Sequence, residues 1–183
     1  MPAEMITFDY NREKAVAYAH AWAYRRNPAY YNFQEIGGDC TNYASQCIFA
    51  GAGIMNYTPT FGWYYINLNS RAPAWTGVVY LYNFLTSNQG PGPFAREVDI
   101  EDVQPGDICQ LALDRDAFHH TPVIVAAGVV PDYDNVLVSA HSRDVDCRPL
   151  DTYAFRRVRF LHIEGVRTIV GSPAGERLQA TRA

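Results

Sequence analysis

The run Gly37-Gly38-Asp39-Cys40 is where this sequence first offers chemistry. A thiol attacks a carbonyl carbon only as it loses its proton, and a helix N-terminus favours the ionised sulfur through unsatisfied N–H groups and the positive dipole end. Here two glycines lead a cysteine into the first turn of an expected helix, GGDC-TNYASQ, and leave room for a substrate backbone to come close. Of the other cysteines, Cys47 falls two turns deeper on the same face, Cys109 lies within an expected strand and Cys147 in a polar loop. These three read as structural. A cysteine nucleophile needs a base within hydrogen-bond reach, and the base needs an orienting partner. Five histidines are available. His20 sits in the middle of a helix and His162 in the last strand, where core-edge or structural roles suit them. His119 and His120 open a strand; neighbouring strand residues face opposite ways, so only one of the two is expected to meet Cys40. His141 ends the following strand and can lie beside that histidine. The same cysteine and two histidines could instead hold a zinc ion.

The elements that must position these groups divide into helices first and strands second. Residues 11–26 place Ala15, Val16, Ala19, Trp22 and Ala23 on one helical stripe, with Asn11 or Asp9 as cap and Asn27-Pro28 as terminator. A second helix starts at Asp39-Cys40, capped by Asp39, and stops at residues 50–53 with Gly51 as its breaker. A third spans about 76–87. Between them, residues 55–75 are rich in aromatics, Asn and Pro, and are expected to form an ordered loop whose Phe61–Tyr65 stretch and Trp75 could wall a groove. Strands are expected over 107–113, 121–130, 135–141 and 154–163. This order predicts an α+β domain over 1–170, helices packed on an antiparallel sheet, followed by a small, polar and flexible tail over 171–183.

Composition narrows the function. The 183 residues are 48% hydrophobic, enough for one core, and the formal charge of −4 gives no reason to expect nucleic acid as a partner. Nearly all positive charge is arginine, since Lys14 is the sole lysine. No C-x-x-C pair and no disulfide framework is evident, no cofactor is expected, and no apolar run is long enough for membrane insertion. The opening MPAEMITFDYNREKA lacks the basic and apolar regions of a signal peptide, which makes the cytoplasm the default expectation.

GGDCTNYASQC, followed by FGWYY, PAWTGVVYLYNFLT, QPGDICQL, HHTPVIV, SAHSRD and RRVRFLHIEGVR, resembles the "Putative amidase domain" family of bacteria, which groups with CHAP-type and other papain-like amidohydrolases. The likeness runs from about Tyr10 to Arg167. It implies a papain-like fold, Cys40 as nucleophile, His120 as base because that histidine precedes a small hydroxyl residue (Thr121), and hydrolysis of an amide through a thioester, with peptidoglycan or a related peptide as substrate. His141 is the expected orienting residue and Asp144 its alternative. Gln34 and the backbone N–H of Cys40 are the candidate oxyanion donors. A catalytically inactive binding domain of the same fold is the competing reading. Pro122, which cannot donate to a sheet ladder, requires an edge or bulge beside His120 and bears on which histidine faces the cysteine.

Overall fold

The computed structural model describes residues 2–180. In chain order its elements are β1 (Met5–Phe8), α1 (Arg12–Trp22), α2 (Cys40–Ala52), β2 (Tyr65–Asn67), β3 (Ser70–Arg71), α3 (Pro73–Thr76), α4 (Val78–Ser87), β4 (Gly92–Val98), β5 (Ile108–Ala112), β6 (Val123–Ala126), β7 (Leu137–Ala140), β8 (Val145–Pro149), β9 (Arg157–Ile169) and α5 (Pro173–Ala180). A seven-stranded antiparallel sheet runs β1-β9-β5-β6-β7-β8, and β4 also pairs along β9. This is the mixed, antiparallel architecture expected from the sequence.

The two long helices follow from local chemistry. Asn11 caps α1 by accepting the Lys14 N–H. The helix ends at Trp22, before the Asn27-Pro28 terminator, and distant groups take its last carbonyls: Tyr43 Oη donates to Ala19 and His141 Nε2 lies 2.8 Å from the Trp22 oxygen. Helix α2 is wrapped on nearly all sides, with eleven residues buried. Its stop is Gly53, in the left-handed conformation at φ 70°, and not Gly51. Gly51 lies inside the helix, where a Cβ would stand 2.4 Å from the Tyr10 ring and 2.7 Å from the Asn11 carbonyl oxygen, so glycine there lets α2 approach the start of α1. Tyr43, Ala44, Cys47 and Ile48 pack with Ile108, Val123 and Leu161 on one face of the sheet. Cys109, Leu111, Ile124, Val138 and Phe160 form a second cluster. Neighbouring strand residues thus alternate between the two clusters, as a sheet buried on both faces requires.

Several elements depart from the expected ones. The stretch read as a groove-lining loop forms the β2–β3 hairpin and α3, and Trp63 and Trp75 are fully buried. Their indole N–H groups donate to Ser45 Oγ and Asn42 Oδ1, which anchors α2 from outside. Strands β1, β4 and β8 were not expected. Within the expected tail, Pro173–Ala180 is helical; residues 181–183 lie outside the described residues.

Candidate active site

Cys40 is the first residue of α2, reached through Gly37 and Gly38 at φ 100° and 96°. Its sulfur lies beside the chain that leads into β6, 3.7 Å from Thr41 Oγ1 and 4.0 Å from the His119 carbonyl oxygen. Burial pushes the thiol pKa up, and the Asp39 charge adds to that; N–H groups of Thr121 and Thr41 directed at the sulfur pull the other way. The Cys40 N–H itself has no hydrogen-bond partner among the described residues.

Cys40 and His120 line one cavity of about 650 Å³, together with His119, Gly37, Gly38 and Tyr153. No hydrogen bond joins the sulfur to the His120 ring among the described residues. Among the described residues neither nitrogen of that ring has a hydrogen-bond partner, and an aromatic neighbour is Tyr153 at 5.9 Å. Burial lowers the His120 pKa to about 4, with the nearby charges of His119 and Arg148 contributing, so the ring is neutral and able to accept a proton at pH 7. Both histidines line the cavity, but the contact of His119 with Cys40 is through its backbone carbonyl and not its ring. An isolated bridge joins His120 to Leu111, regular pairing of β6 begins only at Val123, and Pro122 sits in the break. His119 is nevertheless occupied, Nδ1 at 2.8 Å from the Ala117 oxygen and Nε2 at 3.1 Å from Asp114 Oδ1.

His141 takes a different partner from the one expected. Its Nδ1 lies 2.6 Å from Asp39 Oδ2 and its Nε2 faces the Trp22 carbonyl, while its ring stacks on Tyr43 at 4.1 Å. Both nitrogens are engaged and neither reaches His120. Asp144, the alternative orienter, forms a two-point pair with Arg26 at 2.8 and 3.0 Å. Gln34 is exposed and absent from the cavity wall.

These groups converge on Asp39, which the sequence suggested only as a helix cap. Its carboxylate caps nothing. It accepts hydrogen bonds from the Phe33 N–H and Asn42 Nδ2, both at 2.9 Å, faces His141, and has Arg26 Nε at 3.1 Å without hydrogen-bond alignment. Burial alone would raise its pKa, but the hydrogen bonds from His141, Asn42 and Phe33 outweigh burial and hold it below the ordinary value of 3.8. The Asp39 N–H donates to Ser142 Oγ at 2.9 Å. The residue before Cys40 is thereby fixed to Phe33 in the chain before α2, to Arg26 in the segment after α1, and to His141 and Ser142 after β7. Asp39 and Asn42 lie within the GGDCTN motif, so the signal was present in the sequence, but local spacing could not supply their distant partners.

Cys40, His120 and His141 do not form a metal-binding set. Among the described residues the cluster whose ligand atoms come within 4.8 Å of one another is His20, Asp146 and Cys147. His20 and Asp146 already pair at 2.8 Å. Cys47 and Cys109 are fully buried, and burial raises both thiols. His162 has the structural role expected of it, bound to Asp107 at 2.9 Å. No helix among the described residues is long and apolar enough to cross a membrane.

The chain is similar to the Bacillus subtilis (strain 168) protein named "Uncharacterized protein YhbB", 34% identical over 122 residues, which is 65% of this chain and 38% of that protein. The chain thus spans well under half the length of that relative. No solved structure matches it significantly. Residues 9–163, from just before α1 through the cavity-forming segments and into β9, match the family described as "Putative amidase domain". The chain belongs to this amidase-domain family.

Proposed function

We propose that the protein is a cysteine-dependent amide hydrolase in which Cys40 is the nucleophile and His120 the general base. The observation that carries this reading is the shared cavity wall: a thiol at a helix N-terminus and a buried, neutral imidazole with both nitrogens free. His120 takes the thiol proton as sulfur attacks the amide carbon, and the unpaired Cys40 N–H stabilises the developing oxyanion. The tetrahedral adduct collapses to a thioester as the amine leaves with the proton from His120. Water, deprotonated by the same ring, then releases the acid and restores the thiol. The set works as a dyad, because His141 and Asp144 are committed to Asp39 and Arg26. A cysteine at the start of a helix packed on an antiparallel sheet supports kinship with the papain-like and CHAP-type enzymes, and peptidoglycan or a related peptide is the substrate that kinship suggests. Incubation of the protein with purified peptidoglycan fragments, read by mass spectrometry, is expected to yield new amine and carboxyl ends. Cys40→Ala is expected to yield none, and unchanged cleavage by that variant would refute the nucleophile assignment.

The absence of a Cys40–His120 hydrogen bond and of any orienting partner for His120 favours one other reading, an inactive domain that keeps the groove. Iodoacetamide distinguishes the two at pH 5–6. Base assistance by His120 makes Cys40 alkylate faster in the wild type than in His120→Ala, whereas an idle domain shows no difference between the two.

A further inference from the structure

The chain carries a formal charge of −4, yet its cavity wall has the opposite sign. Arg115, Arg143 and Arg148 line it, against the single carboxylate of Asp114, which is paired with His119. Arg148 is held in place by Thr152, through Nε at 2.8 Å and Nη2 at 2.9 Å, and lies over the Tyr153 ring at 3.7 Å. Arg115 and Arg143 differ from it: both are exposed, and neither makes a hydrogen bond or ion pair among the described residues. Arg143 also sits at φ 129° and the preceding Ser142 at φ 69°, backbone conformations that side chains rarely adopt. Two unneutralised guanidiniums beside a low-dielectric wall raise the local concentration of anions and offer planar donor pairs that match a carboxylate.

We propose that this cavity selects amides that carry a carboxylate near the scissile bond, as acidic peptides do, with Arg115 and Arg143 as the residues that bind it. The proposal rests on Cys40 being the reactive group of the cavity. Iodoacetate and iodoacetamide are near-isosteric probes that differ in carrying or lacking this charge, and peptide mapping separates alkylation of Cys40 from that of the exposed Cys147. The ratio of their rates at Cys40, iodoacetate over iodoacetamide, is expected to exceed that of N-acetylcysteine by about tenfold at low salt. It is expected to fall towards the free-thiol ratio in Arg115→Gln/Arg143→Gln and in 0.5 M salt, where the Debye length is only about 4 Å. Both side chains are exposed and neither makes a hydrogen bond or ion pair among the described residues, so the variant is expected to remain folded, which its thermal melt checks. A wild-type ratio equal to that of N-acetylcysteine, or one unchanged in the double variant, overturns the selection of carboxylates while leaving amide hydrolysis intact. Absolute rates with both reagents that His120→Ala leaves unchanged overturn the nucleophile reading, and this proposal with it.

Discussion

Asp39→Ala is expected to be among the most destabilising single changes in the protein. The carboxylate is fully buried, and its removal leaves the Phe33 N–H, one Asn42 donor, His141 and Arg26 facing an uncompensated space. Breaking a buried charged network from one side costs about 3–5 kcal/mol, and for a chain of this length each kcal/mol lowers the melting temperature by roughly 2–4 °C. Asp144→Ala is the matched control. It removes a partly exposed partner of the same Arg26, and exposed pairs contribute about 1 kcal/mol or less. Thermal or urea denaturation of the two variants checks the contrast, and equal losses would show that the Asp39 node contributes no more than a surface pair. The sign with pH follows from its lowered pKa. The contribution of Asp39 is complete above the ordinary value of 3.8 and is lost as pH falls through its lower folded value.

His120→Ala is expected to lower kcat/KM for amide cleavage by about 10²–10⁴, the usual contribution of a positioned base, while His119→Ala changes it by a few-fold at most. The difference follows from the ring nitrogens, free in His120 and occupied by Asp114 and the Ala117 carbonyl in His119. An inverted result would transfer the role to His119. The pH profile carries a second mark. His120 is depressed from 6.5 to about 4, so the acid limb of kcat/KM is expected near pH 4. The same depression makes the folded state lose up to about 3 kcal/mol between pH 6.5 and 4, because the unfolded chain takes up a proton there that the folded ring refuses. His120→Gln is expected to flatten that slope, which denaturation midpoints measured across the interval would show.

What the sequence made legible was what local chemistry decides. Asn11 marks the start of α1 through its own hydrogen bond, and the α2 start at Cys40 was readable from the glycines before it, whereas its end lies at Gly53, two residues past the breaker the sequence offered. Pro122 announced a break in its strand, although the lining of one cavity by two adjacent histidines was not readable from it. Strand β4 was hidden because Gly-Pro at its start reads as a breaker, and its pairing lies in β9, some seventy residues further on. The role of His141 was hidden for a related reason. A histidine at a strand end beside another histidine is a reasonable relay on spacing alone, but the group that claims it is a carboxylate 102 residues earlier. The indoles of Trp63 and Trp75 were assigned to a groove on composition, whereas the free energy gained by burying large aromatic rings placed them in the core.

The node at Asp39 also sets the order in which reactivity is acquired. Its ties to Ser142 and His141 span 103 and 102 residues, and the contact of Cys40 with the His119 carbonyl spans 79. Contacts this distant close late, because loop entropy must be met before they form. A nascent chain that has emerged only through α2 therefore displays the thiol with neither its cavity nor the clamp on the preceding residue. The surroundings of the Cys40 thiol become ordered when β6, β7 and the turn after them have docked, which makes the accessibility of that thiol a reporter of their docking.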